Sequence, residues 1–187
     1  PMIGDTSDKN LDIGSVLNDY ATYYGRADFS YMGTKGAQGT VPASRSVLYP
    51  NSFAIMRTGW GADDSYMFIE NEDTDYTGSH NHPDDLSLMM YAYGKRLIVD
   101  PGVYNYLDNA ASNWLRKTTK AHNTVEANSL NQSNIGREHV MWISNGGFDF
   151  YSGRHKDYAP ISHTRNVFFA KPGFWIVSDL MTGSSIT

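Results

Sequence analysis

The chain has 187 residues, a formal net charge of −5, no cysteine, and 40% hydrophobic against 19% charged residues. This balance allows a sizeable core and excludes a globally disordered chain. A negative net charge without a basic stripe excludes a typical nucleic-acid-binding surface, and the lack of cysteine excludes disulfides and a thiolate nucleophile. No apolar run approaches the roughly 20 residues that a membrane-spanning helix needs.

The first 45 residues carry weak patterns and are predicted to form an N-terminal segment or linker. Residues 13–24 predict a short helix, because Asp12 is a suitable cap and Gly25 a suitable stop. Residues 27–46 are small and polar with scattered aromatic side chains, which predicts a covering loop. The chain opens without a signal peptide, and we expect it to be part of a larger protein.

From residue 46 to residue 187, hydrophobic alternation with a period of two predicts a β-rich domain. The glycine turn at Gly94 predicts a hairpin between residues 86–93 and 96–100. The series of short strands predicts an all-β fold, either an antiparallel β-sandwich or stacked sheets, truncated at its C-terminus. The predicted strands are residues 52–58, 66–70, 86–93, 96–100, 122–127, 140–144, 147–152, 163–170 and 173–179.

The densest group of metal-ligating side chains precedes the strand at residues 86–93. His80 and His82 are two positions apart, so both imidazoles face the same side of an extended chain. Asp100 ends the strand that returns toward His82, and His122 opens a later predicted strand. Two imidazoles and a carboxylate can hold a metal such as zinc and leave one coordination position open.

Several short motifs follow one another in a characteristic order over roughly residues 46–180. They are His80-Asn-His82-Pro-Asp84, Tyr93-Gly94-Lys95, Asp100-Pro-Gly102, Val103-Tyr104-Asn105-Tyr106, Trp114-Leu-Arg116, Ala121-His122-Asn123-Thr124-Val125 and His163-Thr-Arg165 with Trp175-Ile-Val-Ser-Asp179. Each fragment alone is unspecific. Their order and spacing make the chain resemble the C-terminal β-sheet part of the heparinase II/III-like polysaccharide lyases.

The resemblance implies both a metal site and a reaction. It implies that zinc or another divalent metal is held by His82, Asp100 and His122, and that His80 is catalytic. The implied reaction is β-elimination: a base removes the C5 proton of a uronate, and the 4-linked glycosidic oxygen leaves. Charge that develops on the uronate carboxylate has to be neutralised, and histidine suits a base or, when protonated, a neutralising group.

The resemblance also implies partners that this sequence does not contain. An N-terminal α/α-toroid domain of the same protein would supply further catalytic residues, and the substrate would be an acidic polysaccharide of glycosaminoglycan or alginate type. We therefore expect the isolated chain to be inactive and its parent to be periplasmic or extracellular. Tyr104, Tyr106 and Arg116 are local candidates for substrate contact. Asp84 and Asp85 depart from expectation, because they place negative charge beside a site for a polyanion.

Two other functions remain open at this point. A non-catalytic carbohydrate-binding β-sandwich with a structural metal fits the aromatic content, because aromatic rings stack on sugars. A cupin-like metalloenzyme shares the H-x-H pair, but the glutamate that cupins place shortly afterwards is missing. The same histidines can also be a structural hydrogen-bonded pair, and Asp100 in Asp-Pro-Gly can be a turn former. His139, His155 and His163 are predicted to have structural or surface roles.

Overall fold

The computed structural model describes residues 12–43, 45–50, 52–71, 81–103, 105, 107–133 and 137–184. These residues form two antiparallel sheets, which confirms the predicted all-β fold of stacked sheets. The first sheet has the order β1-β2-β3-β4-β5, with strands Val47–Tyr49, Phe53–Arg57, Tyr66–Glu70, Leu88–Ala92 and Lys95–Ile98. The second has the order β6-β7-β8-β9, with strands Glu138–Ser144, Phe148–Tyr158, Ile161–Ala170 and Phe174–Thr182.

One hydrophobic core lies between the two sheets. In β2 and β8, alternate residues are buried, as the period of two requires. Burial of each large apolar side chain stabilises the fold by roughly 1.5–3 kcal/mol, so this shared core holds the sheets face to face. Its buried members are Ala54, Met56, Met67, Ile69, Leu86, Leu88, Tyr151, Val167 and Phe169.

Two helices precede the sheets. Helix α1 (Ile13–Tyr24) has the predicted bounds: Asp12 accepts a hydrogen bond from the Gly14 amide at 3.0 Å, and Gly25 ends the helix with φ of 64°. Helix α2 (Ala27–Gly33) lies where a loop was predicted, so that prediction was wrong. The helices approach closely, since a Cβ on Gly14 would lie 3.0 Å from the Gly33 carbonyl oxygen. In the part of the chain that is described, no helix is long and apolar enough to cross a membrane.

The β4–β5 hairpin carries two of the predicted site residues toward each other. Tyr93 and Gly94 both have positive φ, 55° and 68°, as in the tight turns whose twist matches paired strands. Leu86 also has positive φ, 61°, so the strand begins at Leu88 rather than at residue 86. Because β5 runs back along β4, Asp100 returns to the loop that contains His82.

The segment at residues 122–127 was predicted to be a strand, and this prediction was wrong. A 3-10 turn at Thr119–Ala121 leads instead into an irregular loop, with one isolated bridge between Ala127 and Leu130. Side chains replace the missing strand partner: the Asn123 side chain donates to the Val99 carbonyl at 2.8 Å, and the Thr124 hydroxyl to the Asp85 carbonyl at 2.6 Å. Helix α3 (Ala110–Lys117) precedes this 3-10 turn.

Strand β8 brings polar side chains into the interior. Its residues alternate between buried and half-buried along its whole length. The inward positions include His163 and Arg165 as well as Val167 and Phe169. Polar groups enclosed in this way require hydrogen-bond partners. Strands β7 and β9 and the loops above the core supply them, and those loops carry the predicted metal ligands.

Candidate metal centre

The fold brings the three predicted metal ligands into one buried place. His82 lies in the loop before β4, Asp100 follows β5, and His122 follows the 3-10 turn. Their exposed fractions are only 3%, 8% and 7%. The imidazole centroids of His82 and His122 are 5.3 Å apart. Ionisable groups this deeply buried have to be paired or to coordinate a metal.

Asp100 makes two contacts through its carboxylate. Oδ2 lies 2.8 Å from Nδ1 of His122, and Oδ1 accepts a hydrogen bond from the Gly102 amide at 2.9 Å. The second contact closes the Asp-Pro-Gly turn that the sequence indicated. The first fixes the orientation of the His122 ring, as carboxylates do beside many metal-bound histidines. Asp100 therefore combines the turn-forming role with contact to the cluster.

Asp84 joins this cluster, although from the sequence its charge was expected only to be unfavourable for a polyanion. Ligand atoms of His82, Asp84 and His122 all lie within 4.8 Å of one another. Oδ2 of Asp84 is 3.9 Å from Nδ1 of His122. In tetrahedral zinc sites, ligand atoms are separated by roughly 3.5 Å, given bond lengths of about 2.0–2.2 Å. The sequence signal that could have identified Asp84 as a member of the cluster is its position, two residues beyond His82 in an H-x-H-x-D pattern.

The electrostatics of the cluster favour a bound cation. Burial raises the pKa of Asp84, and the neighbouring Asp100 carboxylate raises it further, against the opposing effects of His122, His82 and Arg137. Burial lowers the pKa of His122, but its hydrogen bond to Asp100 and the charges of Asp84 and Asp100 outweigh burial and raise it overall. Two imidazoles with two carboxylates form a donor set that fits a divalent metal, whose charge would stabilise the deprotonated carboxylates.

Asp85 turns away from the surface, so its charge does not face a polyanion. It is 1% exposed and forms an ion pair with Arg137. Gln132 holds the backbone on both sides of Asp85: its Oε1 accepts from the amide at 2.6 Å, and its Nε2 donates to the carbonyl at 3.1 Å. The two adjacent acidic residues therefore do not place negative charge beside a polyanion, because Asp85 points inward and Asp84 lies in the cluster.

Arg165 clamps both ligand-bearing loops to the second sheet. Its Nη1 donates to the carbonyls of Leu86 at 2.6 Å and of Asn123 at 2.7 Å. Leu86 follows the Asp84 loop, and Asn123 follows His122 directly. Nε and Nη2 donate to the two carboxylate oxygens of Asp179 at 2.8 and 3.0 Å. Arg165 and Asp179 both belong to the motifs that carry the family resemblance, but the sequence did not predict that they clamp these loops.

Two buried histidines, His155 and His163, form a network of polar contacts beside the clamp. Nε2 of His155 and Nδ1 of His163 are 2.9 Å apart, and Nε2 of His163 is 2.8 Å from Asp179. Nδ1 of His155 is 3.1 Å from Oδ2 of Asp157. Burial lowers the pKa of His163, as does His155, although Asp179 opposes the shift. These rings link β7, β8 and β9, which is the kind of structural role predicted for them.

Arg116 is the one further predicted site residue that the structure describes. Arg116 is half-buried in the last turn of α3, where its charge acts on Asp108. The backbone of the preceding residue, Leu115, forms a hydrogen bond with His122. His80, Tyr104 and Tyr106 fall outside the described residues, so their roles stay predictions.

Comparison with known proteins identifies the family. The profile described as "Heparinase II/III-like, C-terminal" matches residues 53–185, well over half of the chain. The chain belongs to this family. Heparinase II/III-like relatives include the heparin-sulfate lyase of Bacteroides stercoris, 28% identical over 159 residues, which are 82% of this chain and 23% of that lyase. The heparin-sulfate lyase of Pedobacter heparinus is 24% identical over 192 residues, covering 99% of this chain and 29% of the relative.

Solved structures share the fold of this heparinase II/III-like chain. A structure of heparinase III superposes with a TM-score of 0.89 at 24% identity, covering 99% of this chain and 30% of that one. The heparan sulfate lyase HepC of Pedobacter heparinus gives a TM-score of 0.88 at 24% identity, with coverage of 99% and 30%. The chain thus spans less than a third of the length of these relatives.

Proposed function

We propose that this chain is the metal-binding β-sheet part of a polysaccharide lyase that cleaves a uronate-containing polysaccharide by β-elimination. The observation that carries the proposal is the buried convergence of His82, Asp84 and His122, with Asp100 on the His122 ring, in a chain of this family. The related lyases named for heparin sulfate favour a glycosaminoglycan as the substrate. The family match also favours this function over a cupin-like enzyme.

The proposed reaction assigns defined roles to the chain's own residues. A base removes the C5 proton of the uronate, a double bond forms between C4 and C5, and the C4–O bond breaks. The departing oxygen takes a proton from an acid. His80 is the proposed catalytic residue of this chain, acting as base or as carboxylate neutraliser. Tyr104, Tyr106 and Arg116 remain proposed substrate contacts, and other groups would come from an N-terminal toroid domain of a periplasmic or extracellular parent.

The proposed metal, zinc or another divalent ion, would be held by His82 and His122 with Asp84, Asp100 or both. When bound, it supplies positive charge and Lewis acidity at this position. Asp100 contacts His122 and the Gly102 amide, but its carboxylate has about four lone-pair sites, so these contacts leave it able to bind a metal as well. The geometry favours Asp84 as the ligand and Asp100 as the orienting carboxylate, whereas the family resemblance favours Asp100 as the ligand.

Metal content distinguishes these assignments. Zinc bound by the purified chain is measured by elemental analysis and by competition with a chromophoric chelator for wild type, Asp84→Asn, Asp100→Asn and a control, His139→Ala. If Asp84 is the ligand, its variant loses stoichiometric zinc, while Asp100→Asn weakens affinity about 10–100-fold. The reverse order would make Asp100 the ligand. A wild type that is folded but binds no zinc or other divalent metal would contradict the metal site.

Catalysis is tested in the parent protein. The unsaturated uronate product absorbs in the ultraviolet, so its appearance with heparan sulfate reports elimination directly. We expect His80→Ala to abolish turnover while it retains metal, and His139→Ala to leave turnover unchanged. Glycan binding without any ultraviolet product would instead support the second candidate, a non-catalytic carbohydrate-binding sandwich with a structural metal.

A further inference from the structure

A cleft of about 540 Å³ opens on the first sheet, beside the candidate metal centre. It lies between Met32 of α2, the β2–β3 loop at residues 59–62, and strands β4 and β5. Met89 and Asp100 line both this cleft and a small hollow next to Asp84. The volume is within the range of roughly 300–1,000 Å³ that is typical of small-molecule sites. The cleft therefore has the size of a binding site and adjoins the cluster through Asp100.

An arginine that has no counter-charge among the described residues lines this cleft. Arg57 lies at the end of β2, on the face opposite the buried Met56. Its guanidinium carbon lies 3.9 Å from the centroid of the Trp60 ring and 5.0 Å from that of Tyr66. Its Nε is buried and has no hydrogen-bond partner among the described residues, and the same is true of the Trp60 indole nitrogen. The two aromatic rings thus hold a partly desolvated cation in place.

The carboxylates in the cleft are engaged elsewhere. Asp64 accepts from the Thr58 hydroxyl at 2.9 Å and from the Gly61 amide at 2.7 Å, so it holds its own loop together. Asp100 contacts His122 and the Gly102 amide. Burial lowers the pKa of Arg57, and the phenols of Tyr66 and Tyr49 oppose this shift. No carboxylate among the described residues compensates the guanidinium.

Arg57 differs in this respect from several other arginines of the chain. Four of them form ion pairs with a carboxylate, whether they are exposed or buried. The pairs are Arg26–Asp28, Arg137–Asp85, Arg154–Glu138 and Arg165–Asp179. A guanidinium presents a planar fork that suits carboxylate and sulfate oxygens. An unpaired guanidinium in a cleft is therefore suited to an anionic ligand. Arg96, which also lines the cleft, adds a second positive charge.

We propose that this cleft is a subsite for one unit of an acidic saccharide, in which Arg57 binds the carboxylate or sulfate group. The choice of a saccharide rests on the proposed function, whereas the choice of an anion rests on the unpaired guanidinium. Tyr91, whose hydroxyl donates to the Ala62 carbonyl at 2.8 Å, fixes the loop that carries Trp60 and so keeps the cleft open. The subsite places a sugar unit next to Asp100 and hence beside the metal cluster.

Binding to the 187-residue chain tests this subsite. A heparan sulfate tetrasaccharide, its fully desulfated counterpart and the neutral cellotetraose are titrated by calorimetry into wild type and Arg57→Gln, Arg57→Lys and Arg154→Gln. We expect the glutamine variant to bind the acidic probe about 10–100-fold more weakly, the size of a lost charge-assisted contact. Lysine should restore part of the loss, because it keeps the charge without the fork. The control should stay within about twofold of wild type, because Arg154 lies on the exposed surface.

The outcomes separate this inference from the proposed function. Retained affinity in folded Arg57→Gln, checked by its thermal melt, would overturn the subsite, as would equal binding of cellotetraose. Binding of the desulfated probe identifies the carboxylate as the bound group, and dependence on sulfation identifies the sulfate. A parent protein without elimination activity would contradict the lyase proposal and leave the Arg57 result standing.

Discussion

Replacement of Arg165 by methionine is expected to destabilise the fold strongly, because one side chain joins three separate segments. Its guanidinium bonds the carbonyls of Leu86 and Asn123 and both carboxylate oxygens of Asp179. The Arg165 side chain is 6% exposed and that of Asp179 is 28% exposed. Methionine preserves much of the apolar stem but leaves two buried carbonyls and one carboxylate without their donor.

The size of the effect follows from these contacts. Removal of one partner of a buried ion pair costs about 3–5 kcal/mol, and a buried acceptor left unsatisfied costs about 1–3 kcal/mol. Partial exposure of Asp179 and its second contact, with His163, reduce the first contribution. We therefore expect a loss of about 4 kcal/mol in the free energy of unfolding. For a chain of this length that corresponds to a fall in Tm of roughly 10 °C.

Urea unfolding at pH 7, monitored by tryptophan fluorescence, measures this loss. The matched control is Arg154→Met, which removes an exposed pair with Glu138 and is expected to cost at most about 1 kcal/mol. Arg165→Lys keeps the charge but cannot reach all four oxygens, so it should fall between wild type and methionine. If Arg165→Met loses less than the Arg154 control, or if lysine matches wild type, the clamp does not hold these loops.

Two further changes test other parts of the same interior. Burial alone would raise the pKa of Asp179, but hydrogen bonds from His163 and Arg165 outweigh it and hold the pKa below its ordinary value. Its contribution to stability is therefore present above the unfolded pKa of about 3.9 and is lost as the pH falls through the lower folded pKa. Asp179→Asn should thus be less stable than wild type at pH 7, and the gap should narrow toward pH 2 in urea titrations; a constant gap would contradict the assignment. Gly153→Ala should destabilise by about 1–3 kcal/mol through overpacking, because its Cβ would meet the Tyr151 hydroxyl and lie 2.7 Å from Leu86 Cδ2. Gly146→Ala, which meets nothing within 4 Å, is the matched control in thermal melts, and equal melts for both variants would refute the packing argument.

Local patterns in the sequence predicted much of the fold. Helix α1 begins after Asp12 and ends before Gly25, as its capping residues indicate. Strand β3 has the predicted bounds of Tyr66–Glu70, because period-two alternation beside a turn is a local signal. Local reasoning failed at α2 and at residues 122–127. In the second case, contacts from Ser87, Asp85 and Val99, more than 20 residues away, replaced the ladder of a strand.

In the candidate site, too, the sequence predicted some features and only the tertiary structure decided the others. Position along the chain predicted that Asp100 returns toward His82, because a hairpin returns its second strand to the start of the first. The choice of His82, Asp100 and His122 as the metal ligands came from the family resemblance. The inward direction of Asp84 was decided only by tertiary structure, since its neighbours come from the loop that carries His122. The same holds for the four bonds of Arg165 and for the unpaired guanidinium of Arg57. A charge has its partner, or lacks one, according to which distant strands and loops meet it, and one-dimensional spacing does not contain that information.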